Sequence, residues 1–398
     1  MNKHARFVIA GAIACWGFLL AVAAGPKADF PAEDRIVVLG DVHGDYDRMR
    51  EILEIAGVTD RRGRWKGGST HLVQLGDLPD RGPRSLEAGE FLRKLGRAAR
   101  RKGGAVHVLV GNHEAMNVYG DLRYVDPGAF EAFRTRDSKR YLEVIFEEQV
   151  DYIKANNPKE KWPTFDAEFK RKWMESRPPG WVEHRLSWEA GGETNEWVNS
   201  RPAVIRIGDN LFMHGGLGPA YVDWSLEDLN RVVSENLANP ANYRDSILRK
   251  EEGPLWYRGL ARGDEAAEEA HLEALLAQHG VKRIVLGHTV TGGIILPRFG
   301  GRVLLADVGL SRYYGDHMAC LIIEGDRLTA VHRNGQVVFP EVLDDQGMID
   351  YVRAVAAVEP EHRYIAQRLE QLLNPTEVEP VVSPDPDLND IDADPESD

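Results

Sequence analysis

Three short apolar runs in the first third of the chain each end in glycine followed by a polar residue. Ile36 to Leu39 runs into Gly40-Asp41, Leu72 to Leu75 into Gly76-Asp77, and Val106 to Val110 into Gly111-Asn112. Amphipathic segments separate the runs: residues 45–56 place Met49, Ile52, Leu53 and Ala56 on one face, and residues 85–102 repeat the helical period behind a possible N-cap at Ser85. Strand–helix–strand alternation of this kind predicts an α/β fold. In an open α/β sheet, ligands gather at the carboxyl ends of the strands. Three polar strand ends therefore imply one shared site.

The alternation breaks over residues 120–200, which are rich in Trp, Glu, Lys and Arg and punctuated by Pro158, Pro163, Pro178 and Pro179. This stretch reads as a helical insertion, mostly helix over residues 130–155. Strands resume at residues 203–207 and 211–214 around a hairpin turn at Gly208-Asp209-Asn210, and continue at 283–286, 303–306 and 318–331. A catalytic body over residues 33–345 is expected, then one C-terminal helix over 346–375.

The ends of the chain differ from the body. Lys3 and Arg6 precede eighteen uncharged residues, Phe7 to Ala24, which close on small side chains. That is the pattern of an exported signal peptide over residues 1–24. An uncleaved anchor is the competing reading, and Cys15 in a poor lipobox gives a weaker lipoprotein reading; all three put the body outside the cytoplasm, periplasmic or secreted. Residues 376–398 hold nine acidic residues, four prolines and no base, the composition of a disordered tail. The formal charge is −14, and about half of it lies in the body. Nothing resembles the basic surface that nucleic acid needs. With Cys15 and Cys320 the only cysteines, no disulfide framework is expected, and Cys320 reads as a buried small hydrophobe.

The chemistry is in the ordered polar residues: Asp41 and His43 in GDVHGD, Asp77, Asp80 and Arg81 in GDLPDRG, Asn112 and His113 in GNHE, His214 in MHGG, His288 in LGHT. Singly, each has a structural explanation, since Asp or Asn after glycine commonly caps a helix. All five segments in order at predicted strand ends are a different matter. Carboxylate, amide and imidazole suit borderline divalent ions, with Mn favoured and Fe or Zn alternatives. The ligand count exceeds one four-coordinate site and favours two metals, with Asp77 as the bridging carboxylate. A water held between them would attack a phosphoryl group as hydroxide. His113 would protonate the leaving group, Asp80 would orient His113, and Arg81 would hold phosphate oxygens. Arg258 in PLWYRG could add a second guanidinium. Arg123, Tyr124, Tyr313 and Tyr314 are candidates for a substrate pocket, and Glu114 for a supporting role.

Taken together, GDVHG, GDLPDRG, GNHE, HGG and GHT resemble the phosphoprotein phosphatase superfamily of metallophosphoesterases across roughly residues 35–335. The resemblance implies a calcineurin-like fold of two mixed sheets in a sandwich flanked by helices. It also implies Asp41 and His43 on the first metal, Asp77 bridging, and Asn112, His214 and His288 on the second. The longer GNHEAMNVYGDLRYV and DVGLSRYYGDH are similar to the Shewanella-like phosphatases, a branch linked to protein dephosphorylation and to phosphotyrosine. Leu78-Pro79 stands where the eukaryotic enzymes carry Tyr-Val, and their SAPNYC-like loop is absent, so eukaryotic regulatory subunits are not expected as partners. Expected substrates are phosphoprotein side chains or small phosphomonoesters. Two alternatives are a nucleotide or dinucleotide polyphosphate hydrolase, and a non-catalytic metal- or phosphate-binding module.

Overall fold

The computed structural model describes residues 25–374, so the N-terminal signal or anchor, Cys15 and the acidic tail lie outside the described residues. The strands are β1 (Asp29–Phe30), β2 (Ile36–Leu39), β3 (His71–Gln74), β4 (Ala105–Val108), β5 (Val204–Ile207), β6 (Asn210–Met213), β7 (Arg283–Leu286), β8 (Leu296–Arg298), β9 (Val303–Leu305), β10 (Ala319–Glu324), β11 (Arg327–His332) and β12 (Gln336–Val338). They form two six-stranded mixed sheets, ordered β12-β11-β10-β2-β3-β4 and β1-β5-β6-β7-β9-β8. Strands β2, β3 and β4 run parallel, as do β6, β7 and β9. One sheet thus directs three carboxyl ends toward the same edge, and so does the other.

The sheets stack on a shared core. Val37, Leu39, Leu72, Val73 and Leu321 of one meet Ile205, Phe212, Val285 and Leu304 of the other, all fully buried or nearly so. Strands covered on both faces read as apolar runs, which is why IVVL and the IVL of RIVL were visible in the sequence. A second cluster packs the helices Leu226–Ala238 and Glu265–His279 on the outer face of the β6–β7 sheet, through Leu229, Val233, Leu272 and Leu275. Cys320 is buried in the first core, and burial pushes its thiol up to about 12, so it is inert at neutral pH.

Several boundaries shift from the sequence reading. Asp45, not a helical residue itself, caps the helix Tyr46–Ile55 by accepting from Arg48 N. Ser85 is the first residue of the helix Ser85–Arg100, and the cap position belongs to Arg84. Ser85 Oγ instead lies within 3.5 Å of the Gly82 carbonyl. The expected single C-terminal helix is two, Asp345–Val358 and Arg363–Leu373. Pro360 explains the break, since proline supplies no N–H and restricts Glu359 before it. Residues 120–200 form five α-helices, from Pro127–Glu131 to Glu193–Asn199, around a small cluster of Leu142, Phe146, Trp173 and Val182. No helix among the described residues is long and apolar enough to cross a membrane.

Candidate metal centre and active site

Asp41, Asp77 and Asn112 follow β2, β3 and β4, and His214, His288 and Asp307 follow β6, β7 and β9. Both sheets therefore deliver polar residues to one place, and all six are at least 95 % buried. The turns that achieve this are sharp. His43, Asp77, Asp80, Arg81 and His288 all have φ between 47° and 71°, the left-handed region that costs a non-glycine residue free energy. Only two other non-glycine residues described, Phe299 and Asp316, share that conformation. Gly111 is required for closeness rather than for φ, because a Cβ there would stand 2.1 Å from Asp77 Oδ1.

The imidazoles are aimed by backbone carbonyls. His43 donates from Nδ1 to the Pro79 carbonyl at 3.2 Å, and His214 from Nδ1 to that of Leu75 at 3.0 Å. Each leaves Nε2 facing Asp77 Oδ2, at 3.9 Å and 3.3 Å respectively. His214 Nε2 also lies 2.8 Å from Asn112 Oδ1. His288 Nε2 is buried with no hydrogen-bond partner, while Asp41 accepts from His288 N at 3.1 Å. Electron-rich atoms converging in a buried site, with ligand tautomers fixed from behind, are what divalent ions require. Two candidate groups of such atoms arise, His43–Asp77–His113 and Asp77–His214–His288, and Asp77 is common to both.

The electrostatics agree. Burial pushes the Asp41 carboxyl well up, helped by the Asp307 and Asp77 carboxylates beside it. Burial acts on Asp77 in the same direction, but His214 and His113 overcome it and hold Asp77 well below the usual carboxylate range. Burial and the neighbouring His113 take His43 down to about 3, and burial with Arg258 takes His288 well down. Both are therefore neutral and able to ligate. His113 goes the other way. Burial opposes its charge, yet Asp77 and Asp80 prevail and raise it. A raised proton affinity suits His113 to giving a proton.

His113 Nδ1 lies 2.7 Å from Asp80 Oδ2, and Asn117 Nδ2 donates to Asp80 Oδ1 at 2.9 Å. The dyad read from the sequence is thus assembled, with Asn117 as an added brace. Glu114, left there with only a supporting role, is the main fastener of the site. Its carboxylate accepts from Gly111 N and Asp77 N through Oε2, and from Leu78 N through Oε1. One buried side chain ties the β3 loop to the β4 loop. Asp307 was missed altogether; the polar ending Ala306-Asp307 after a predicted strand was the available signal.

The candidate phosphate contacts divide. The Arg81 guanidinium stacks 3.7 Å from the Tyr124 ring centre and donates to Tyr313 Oη at 3.0 Å. Tyr124 stands 5.3 Å from the His113 ring and Tyr314 5.1 Å from that of His43, so Arg81, Tyr124, Tyr313 and Tyr314 form one rim. Arg258 donates to the His288 carbonyl and to Thr289 Oγ1, which holds the turn carrying His288. Arg123 is clamped to the buried Asp121 at 2.9 and 2.5 Å. Its guanidinium also lies 5.6 Å from the Tyr124 ring of the rim.

Comparison with known proteins gives a consistent picture. Residues 34–292 match the family model described as calcineurin-like phosphoesterase. The chain is 32% identical to Shewanella-like protein phosphatase 2 of Arabidopsis thaliana over 303 residues, 72% of this chain and 74% of that one. It superposes with a TM-score of 0.60 on the cold-active protein-tyrosine phosphatase of a psychrophilic Shewanella species, at 28% identity, covering 80% of this chain and 84% of that one. A symmetrical bis(5'-nucleosyl)-tetraphosphatase of Psychromonas ingrahamii is 35% identical, but over 77 residues, 19% of this chain and 23% of that one.

Proposed function

Since the chain belongs to the calcineurin-like phosphoesterases, and among them to the Shewanella-like protein phosphatases, we propose that it hydrolyses phosphomonoesters on protein side chains, with phosphotyrosine among its substrates. The observation that carries the reading is the shared Asp77, flanked by neutral imidazoles on both sides and by the His113–Asp80 pair. Two divalent ions, when bound, would polarise a phosphoryl oxygen and activate water at neutral pH. Asp41, His43, Asp77, Asn112, His214 and His288 would hold them.

The remaining work belongs to side chains. Arg81 offers a planar fork to the phosphoryl oxygens that do not react, and its stacking on Tyr124 fixes that fork before substrate arrives. Water attacks phosphorus as the bond to the leaving oxygen breaks. The proton on His113 Nε2 passes to that oxygen, giving an alcohol or phenol and orthophosphate. Asp80 keeps His113 oriented and favours its protonated form until then. The rim of Tyr124 and Tyr313 gives an aromatic leaving group apolar faces to lie against, which supports phosphotyrosine over a bare alkyl phosphate. From residues 1–24 we also propose export, which N-terminal sequencing of the mature protein tests.

The substrate class is tested by comparing kcat/KM for a phosphotyrosine peptide, a phosphoserine peptide and diadenosine tetraphosphate. The peptides are expected to be turned over at least tenfold better than the dinucleotide. Near-exclusive activity on the dinucleotide overturns the reading.

A further inference from the structure

Behind the catalytic loops is a cavity of about 160 Å³ between the helix Ser85–Arg100 and the helical insertion. Its walls are mainly apolar, with Leu78, Phe133, Trp188 and Trp197, and Asp80 and Glu114 line it on the side of the catalytic loops. The size compares with the engineered cavity of about 150 Å³ that takes benzene. Arg93 and Glu193 face each other across one side at 3.5 Å and are both exposed, so the cavity opens to solvent there.

Two buried polar groups in its lining lack partners. Arg201 is 5 % exposed and stacks 4.4 Å from the Trp197 ring; Nη1 reaches Glu114 Oε1 at 3.4 Å, but Nε and Nη2 have no hydrogen-bond partner. These two nitrogens form the edge of a guanidinium that takes a carboxylate in bidentate fashion. His184 is 3 % exposed, with Nδ1 unpartnered among the Phe130, Phe133 and Trp188 rings. A buried polar group left unmatched is costly, and two in one small cavity point to a molecule that matches them.

We propose that this cavity binds a small aromatic carboxylate, its ring between Trp197, Trp188 and Phe133 and its carboxylate on the Nε/Nη2 edge of Arg201. The site is linked to the active centre through Arg201. Arg201 also touches Glu114, and the Glu114 carboxylate holds Gly111, Asp77 and Leu78. A ligand that fixes Arg201 therefore changes how firmly the Asp77 loop is held, without occupying the rim that substrate uses. Arg201 also borders an open groove containing Lys27, Arg97 and Arg100, whose lining does not include His184 or Glu114.

The probe is benzoate, titrated calorimetrically into the full-length, metal-loaded protein in saturating orthophosphate, with benzyl alcohol as its uncharged counterpart. Saturable one-to-one binding is expected, at least tenfold tighter for benzoate than for benzyl alcohol. Arg201→Met should abolish that preference, and His184→Phe, an apolar replacement among aromatic neighbours, should weaken benzoate severalfold. Saturation should also change kcat for p-nitrophenyl phosphate at least twofold with KM unchanged. The wild-type comparison stands even if Arg201→Met fails to fold. No saturable binding below about 10 mM, or equal affinity for the two probes, overturns the proposal. Unchanged affinity in His184→Phe places the anion in the open groove and overturns it too, and an unchanged kcat removes the coupling.

Discussion

At the scale of single residues, the account turns on His113 and its neighbours. His113→Asn should retain the bound metals and lower kcat on an unactivated phosphomonoester by about 10²–10⁴-fold, the usual worth of general acid–base help. Full activity in that variant would remove His113 from proton transfer. Arg81→Lys keeps the charge but loses the planar fork and its stack on Tyr124, so KM for a phosphotyrosine peptide should rise more than kcat falls. An unchanged KM would place phosphate elsewhere. The residues that announce themselves in the sequence are those standing at strand ends in recognisable order. Glu114 and Asn117 were harder to weigh because their importance lies in backbone amides and a carboxylate they reach across the site. Residue type does not encode that reach. The hold that Arg258 Nη1 has on the turn carrying His288 is likewise a reach that residue type does not encode.

Between residue and molecule, the decisive elements are two parallel strand triplets with a common edge. Buried on both faces, these strands were legible as apolar runs, and their ends were legible as polar turns. The pairing order was not, since one-dimensional periodicity does not say which strands become neighbours. The insertion and the C-terminal segment were helical in pattern, but where each helix stopped depended on local breakers such as Pro360. The first C-terminal helix is bound to the body by Tyr351, fully buried, whose hydroxyl donates to the Ile295 carbonyl at 2.7 Å. Tyr351→Phe leaves that carbonyl unmatched and should cost about 1–3 kcal/mol in urea unfolding. An unchanged midpoint would mean that water or another donor replaces the hydroxyl. Gln at Glu114 should lower stability similarly, because a charged acceptor of several amides becomes neutral.

For the whole molecule, buried imidazoles set the response to acid. Burial is the main cause that lowers His107 and His184 to about 3 and His317 and His332 to about 4, all from an unfolded value of 6.5. Between those limits the unfolded chain binds protons that the folded one refuses, so stability should fall as pH drops from about 6.5 toward 4. Urea midpoints at pH 7.5 and 5.5 check the sign, and His332→Leu should flatten the slope. The central claim, that two ions share Asp77, is tested most directly by elemental analysis of wild type and Asp77→Asn purified side by side. The account predicts about two equivalents of divalent metal in the wild type, and loss of metal and of phosphatase activity together in the variant. A wild type that is fully active after exhaustive chelation, or an Asp77→Asn protein that keeps both metals and full turnover, would contradict it.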